Sequence, residues 1–189
     1  MINKAVESLE NHEVIICPSE SCYSLSCDAK SQKAVEKLHE LKGESKDKPI
    51  TILVANLTQL EDFAIVTKDI KKIVDKLMPG QLNLIVEKKD KNKYNFIAND
   101  SICFRIPNNQ IMLEICKKFG AITTTSANLH GQPSLYKIED VKKTFENKVN
   151  CILDAGDLNE NIPVSTIYDT RTGKILREGL VTEEEIKEI

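Results

Sequence analysis

Apolar positions recur along this chain in two rhythms, a helical one and a run of short continuous stretches, and the two alternate. Ile2, Val6 and Leu9 share one helical face, which predicts a helix from Ile2 to Asn11. Glu13 to Cys17 is a short apolar run stopped by Pro18, and reads as a buried strand. Ser31 opens a second helix with Ala34, Val35, Leu38 and Leu41 on one face, and Gly43 ends it. Pro49 to Val54 is β-branched and predicts a strand, followed by helices at Thr58 to Phe63 and Thr67 to Met78. Leu82 to Glu87 and Ser101 to Ile106 predict strands around a loop rich in Lys and Asn. A helix at Ile111 to Phe119, capped by Gly120, leads to a strand at Ala121 to Ser126 and a helix at Ile138 to Asn147. Strands at Asn150 to Asp154, Val164 to Asp169 and Lys174 to Arg177 follow, and Thr182 opens a last helix. The alternation predicts a layered α/β domain. The short strands near the C-terminus predict a mixed rather than an all-parallel sheet.

The length, 189 residues, suits one domain spanning 1–189. No apolar run approaches the roughly 18 residues that cross a bilayer, and the first ten residues carry acidic groups where a signal peptide needs apolar ones. The expectation is a cytoplasmic protein with no membrane partner. The six cysteines form no C-x-x-C pair and the three histidines are far apart in sequence, which predicts reduced thiols rather than a metal site. A net charge of −3 argues against binding of nucleic acid through a broad basic surface, though not against a local basic pocket. Only three of the 26 basic residues are Arg: Arg105, Arg171 and Arg177. Each is a candidate for work that needs a planar, bidentate donor.

Chemistry concentrates in loops after the strands. Pro18 to Leu25 holds Glu20, Tyr23 and serines at 19, 21 and 24, a polar cluster suited to a small zwitterion. Lys42 to Pro49 carries Lys42, Lys46 and Lys48 but lacks the Walker A pattern. Arg105-Ile106-Pro107-Asn108 places an Arg at a strand end, and Thr123 to Asn128 runs into Gly131-Gln132-Pro133-Ser134 as a hydroxyl-rich turn suited to phosphate oxygens. Ser165 to Asp169 and Leu176 to Gly179 complete the set. Ser126 has no His or Asp at triad-like spacing and G-x-S-x-G is absent, which argues against a serine hydrolase.

In order, these six segments resemble the signature of the YrdC-like threonylcarbamoyl-AMP synthases over nearly the whole chain. That signature runs P-T-E-T-x-Y-G-L, K-x-R-P-x-x-x-P-L, R-x-P-N, S-x-N with G-x-P-S, S-T-[IV]-x-D and L-R-x-G. The resemblance implies a twisted mixed sheet flanked by helices with a concave nucleotide site. It also implies condensation of L-threonine, bicarbonate and ATP to threonylcarbamoyl-AMP and pyrophosphate, assisted by Mg²⁺. A threonylcarbamoyl-transferase complex would then pass the group to tRNA. Mapped by motif, Ser21, Tyr23, Arg105, Ser126 and Ser165 would bind threonine, and Lys42, Lys48, Asn128, Tyr136 and Arg177 would bind ATP. No residue is required as nucleophile or general base, and no metal ligand is named.

The chain departs from the signature at Glu44, where the pattern has Arg, at Ser45 for Pro, at Ser24 and Ser26 for Gly, and at Asn83, where the family usually has Thr. An acidic residue at a phosphate-binding position would repel the triphosphate unless Lys46 and Lys48 compensate it or it helps to carry Mg²⁺. An alternative of another class is therefore a catalytically silent relative that binds nucleotide or structured RNA in translation or ribosome assembly. A carbamoyl-transfer module like that of hydrogenase maturation is the third reading, and nothing in the sequence supplies its other domains.

Overall fold

A computed structural model describes the whole chain, Met1–Ile189. Its elements are α1 (Ile2–Glu10), β1 (Ile15–Pro18), β2 (Tyr23–Ser26), α2 (Gln32–Lys42), β3 (Thr51–Leu53), α3 (Leu57–Leu60), α4 (Lys68–Leu77) and β4 (Leu82–Glu87). Then come β5 (Ser101–Arg105), α5 (Gln110–Phe119), β6 (Ile122–Ser126), α6 (Ile138–Phe145), β7 (Cys151–Ile152), β8 (Thr166–Asp169), β9 (Lys174–Arg177) and α7 (Glu183–Lys187). The helices start where their capping residues lie. Ser31, Asn56, Thr67, Asn109 and Thr182 each accept a backbone N–H of the first turn, and Gly43 ends α2 in the left-handed region at φ 69°.

The strands form one nine-stranded mixed sheet in the order β7-β1-β2-β6-β3-β5-β4-β8-β9. β1 with β7, β3 with β5 and β4 with β8 are parallel, and the other neighbours are antiparallel. β2 is the strand that the sequence pattern reads as loop. Its residues alternate, with Tyr23 and Leu25 in the main core and Ser24 and Ser26 on the opposite face.

That alternation decides where the site lies. Leu25, Ile52, Leu84 and Phe104 join a core of 32 buried residues with α2, α4 and α6. On the other face Ile15, Cys17, Leu53 and Ile122 join a smaller core of 11 with α1 and α5. Those two helices cover only one end of this second face. Beyond them the face carries Ser24, Thr51, Asn83, Arg105, Thr124, Ser126, Ile167 and Arg177, which line an open cavity instead of a core.

Candidate active site

The cavity holds about 260 Å³ and is walled by the Ser19–Cys22 loop, Ser134 and Val164–Ser165, with the sheet face as its floor. Of the fifteen lining residues only Cys22, Val164 and Ile167 count as apolar, so the site is built for a polar ligand.

A row of cross-strand neighbours forms its centre. Arg105 ends β5, and Asn83 of β4 lies one step beyond the Leu84–Phe104 pair, opposite Arg105. Asn83 pairs in turn with Ile167 of β8, and Ile167 with Arg177 of β9. Ser165 ties the two guanidinium groups together. Its hydroxyl accepts from Arg105 Nη1 at 2.6 Å, and its carbonyl accepts from Arg177 Nε at 3.0 Å. Arg105 Nη2 stands 3.2 Å from Glu20 Oε2, and Glu20 Oε1 accepts the backbone N–H groups of Asn108 and Asn109 at the start of α5. Burial lowers the Arg177 pKa; Cys103 opposes that shift, and a smaller effect of the Arg105 charge adds to it. Two cations held this close favour an anion between them.

Gly179, the glycine of the Leu-Arg-x-Gly segment, makes this possible by its lack of a side chain. A Cβ there would lie 2.2 Å from the Val164 carbonyl oxygen and 2.5 Å from the Thr166 nitrogen. The strand bearing Arg177 can therefore lie against the backbone that presents Ser165.

The second wall is the turn after β6. Lys42 at the end of α2 is buried, and its ammonium donates to Ser126 O at 2.7 Å and Asn128 Oδ1 at 2.6 Å. Ser126 Oγ donates to the same Asn128 Oδ1 at 2.6 Å, and Asn128 Nδ2 donates to Gln132 O. With its donors aimed at oxygens, Lys42 is a clamp on this turn and not a base for Ser126. Burial lowers its pKa, and the nearby Glu44 opposes that shift.

Glu44 does not face the cavity as an uncompensated charge. Its side chain is only 6% exposed, and Oε1 lies 2.7 Å from Lys48 Nζ, 3.9 Å from Lys42 Nζ and 3.5 Å from His130 Nδ1. Burial pushes its carboxyl up, but the Lys48 hydrogen bond and the Lys42 and Lys48 charges outweigh this and hold it below its usual value. The repulsion expected from the sequence is thereby met by Lys42 and Lys48. Lys46 points elsewhere, to Glu36 and Glu40.

Among the residues expected to bind threonine, Ser21, Arg105, Ser126 and Ser165 line the cavity, and so does Arg177 from the nucleotide set. Tyr23 does not, because it occupies the alternate face of β2. Its hydroxyl donates to Gly156 O at 2.7 Å and accepts from Ala155 N at 3.0 Å. Lys42 and Asn128 stand behind Ser126, Lys48 is drawn to Glu44, and Tyr136 is partly buried outside the lining. Ser24, Thr51, Asn83, Thr124 and Ser134 in the lining, and Glu20 through Arg105, also belong to the site without having been assigned a ligand. Glu20 and Ser24 sit in a segment the sequence marks, but their roles depend on which face of β2 meets which strand.

All six cysteines are free thiols. Burial pushes Cys22, the one lining the cavity wall, up, and Ser21, Ser134 and Ser19 only partly offset it, so the thiol stays protonated at neutral pH. No group of three His, Cys, Asp or Glu side chains is placed to hold a metal ion. No helix is long and apolar enough to cross a membrane.

Comparison with known proteins agrees with this geometry. Residues 7–179 match the Sua5–YciO–YrdC family model, described as telomere recombination. A Methanocaldococcus jannaschii protein provisionally named a threonylcarbamoyl-AMP synthase is 34% identical over 90% of this chain and 82% of its own length. A Vibrio campbellii threonylcarbamoyl-AMP synthase is 31% identical over 93% of this chain and 97% of its own. The crystal structure of P. abyssi Sua5 complexed with L-threonine superposes with a TM-score of 0.90 at 28% identity, over 99% of this chain. The chain spans 56% of that protein's length. A mixed sheet with a polar, arginine-paired cavity, matched by sequence and by structure along almost all its residues, places this chain in the Sua5–YciO–YrdC family.

Proposed function

We infer that this chain is a threonylcarbamoyl-AMP synthase, which condenses L-threonine, bicarbonate and ATP into threonylcarbamoyl-AMP. The observation that carries the reading is the pair of guanidinium groups joined through Ser165 over a floor of hydroxyls. Such a pocket suits a carboxylate or carbamate, and neither its engaged serine hydroxyls nor the protonated Cys22 thiol is activated as a nucleophile.

The chemistry asks for none. The threonine amine attacks the carbon of bicarbonate, water leaves, and a carbamate forms. A carbamate oxygen then attacks the α-phosphorus of ATP, the bond to the β-phosphate oxygen breaks, and pyrophosphate departs. The protein's work is to align these groups and to stabilise charge. Arg105 and Arg177 hold the anionic amino acid. The Ser126–Asn128 turn, clamped by Lys42, sets the wall toward which the nucleotide extends. Mg²⁺ bound to the triphosphate would supply charge neutralisation for the leaving pyrophosphate, a role that asks for no cluster of protein carboxylates. The product serves a threonylcarbamoyl-transferase complex acting on tRNA in the cytoplasm.

The test is pyrophosphate release with ATP, bicarbonate and a panel of amino acids. Release should require all three substrates and be fastest with L-threonine. Threonine and ATP together should raise the melting temperature more than either alone, since a ligand bound only by the folded state stabilises it by mass action. No release and no thermal shift with any amino acid or nucleotide would remove the reading.

A further inference from the structure

Asn83 lies on the cavity floor, 7% exposed, with its amide oxygen buried and without a hydrogen-bond partner. The other buried oxygen- and nitrogen-bearing side chains of the lining each make at least one hydrogen bond, although Arg105 Nε is likewise buried without a partner. Ser19 donates to Cys22 O, Ser24 to Cys17 O, and Arg105 and Ser165 bond to each other. A buried amide left unpaired within a sheet is rare in folded proteins and calls for a partner that the chain does not supply.

Its surroundings specify that partner. On one side Asn83 faces Arg105 across β5, and on the other it pairs with half-buried Ile167 of β8, with Arg177 beyond. The two guanidinium groups take the anionic end of the ligand. Ile167 and Val164 are the apolar lining residues on this side of the cavity, and Ile167 is Asn83's direct neighbour. A substrate anchored by the arginines thus meets an amide and an aliphatic surface side by side. Those are the groups that recognise a hydroxyl and a methyl branching from one carbon.

We propose that Asn83 and Ile167 are specificity-determining residues, Asn83 binding the side-chain hydroxyl of the amino-acid substrate and Ile167 packing on its methyl group. The assignment rests on the synthase reading. It explains why a polar side chain is kept in a strand whose neighbours Leu82, Leu84 and Val86 are fully buried. The two contacts differ in discriminating power. A site built to hydrogen-bond a hydroxyl rejects the analogue lacking it by as much as about 10⁴-fold, whereas one missing methyl is worth roughly 10–200-fold.

The experiment compares kcat/KM for pyrophosphate release with L-threonine, L-serine and L-2-aminobutyrate. The proteins are the wild type, Asn83→Thr, Asn83→Val and Ile167→Ala. Thr and Val have the same shape and both suit a strand, so the first two variants differ only in the hydrogen-bonding group. Asn83→Val should lose at least about tenfold of the preference for threonine over 2-aminobutyrate while keeping its preference over serine; Asn83→Thr should keep both. Ile167→Ala should cut the threonine-over-serine preference by about tenfold and leave the other ratio standing. Far-UV circular dichroism and melting curves confirm that each variant folds. The protection of the melting temperature by each amino acid repeats the comparison as binding. Equal discrimination against 2-aminobutyrate by Asn83→Thr and Asn83→Val would overturn the assignment of Asn83. An unchanged serine ratio in Ile167→Ala would overturn that of Ile167. Failure of the wild type to release pyrophosphate with any of the three would instead overturn the synthase reading on which both stand.

Discussion

Replacing Glu44 by Gln should destabilise this protein, and replacing it by Arg should do so more. The sequence alone invites the opposite view, in which Arg restores a phosphate-binding cation. In the structure Glu44 is the anion that lets Lys42, 3.9 Å away and nearly buried, and Lys48, 2.7 Å away, stand together. At 4 Å and an effective dielectric constant of 20, one such attraction is worth about 4 kcal/mol before desolvation is subtracted. The Lys48 pair, half in solvent, adds at most about 1 kcal/mol. Removing one partner of a buried pair typically costs about 3–5 kcal/mol, and Gln retains the volume and an acceptor, so we expect a loss of about 2 kcal/mol for Glu44→Gln. Glu44→Arg adds repulsion and should exceed about 3 kcal/mol.

Urea titration at pH 7 measures both losses, with the slope m unchanged because the surface exposed on unfolding is the same. The pH dependence gives an independent check. The folded-state pKa of Glu44 is depressed below 4.5, so its contribution is complete above that value and disappears as the pH falls through the depressed one. The gap between wild type and Glu44→Gln should therefore be full at pH 7 and close below pH 4.5. Stabilities within about 0.5 kcal/mol of wild type for both variants at pH 7 would refute the reasoning. So would faster pyrophosphate release by Glu44→Arg, since that would mean the carboxylate faces the nucleotide.

Two further changes separate supporting from substrate-facing residues. Tyr23→Phe removes the hydroxyl that binds Gly156 and Ala155, and should lower unfolding stability by about 1–2 kcal/mol while leaving the KM for threonine within twofold; a large rise in KM with unchanged stability would return Tyr23 to the site. Gly179→Ala drives a Cβ into the Val164 carbonyl and must part β9 from the backbone of Ser165, so threonine affinity should fall at least about tenfold, as seen by calorimetry, even in the fraction that remains folded.

Much of the fold was legible in the chain itself. Leu82–Glu87 and Lys174–Arg177 are strands over the residues their patterns mark, and the caps at Ser31, Thr67 and Thr182 bound their helices. These are local matters, settled by side chains within four residues of the backbone groups they satisfy. The motif order likewise located the loops that wall the site. β2 escaped because four residues with two serines resemble a polar loop until Tyr23 and Leu25 are seen to share one face.

What the tertiary structure alone decided is which face each side chain meets, and with whom. Tyr23 and Ser24 are adjacent in sequence and lie on opposite sides of the sheet, one bracing the 155–156 turn and the other on the cavity floor. Glu44 reads as a misplaced charge until α2 and the turn after β6 set Lys42 and His130 beside it. Asn83 and Arg105 are 22 positions apart and become neighbours only because β4 and β5 pair in one register. Periodicity and capping act over a few residues, so a single sequence displays them. Strand order and register are set by how two cores close on either side of a sheet, and that balance of burial is a property of the whole chain.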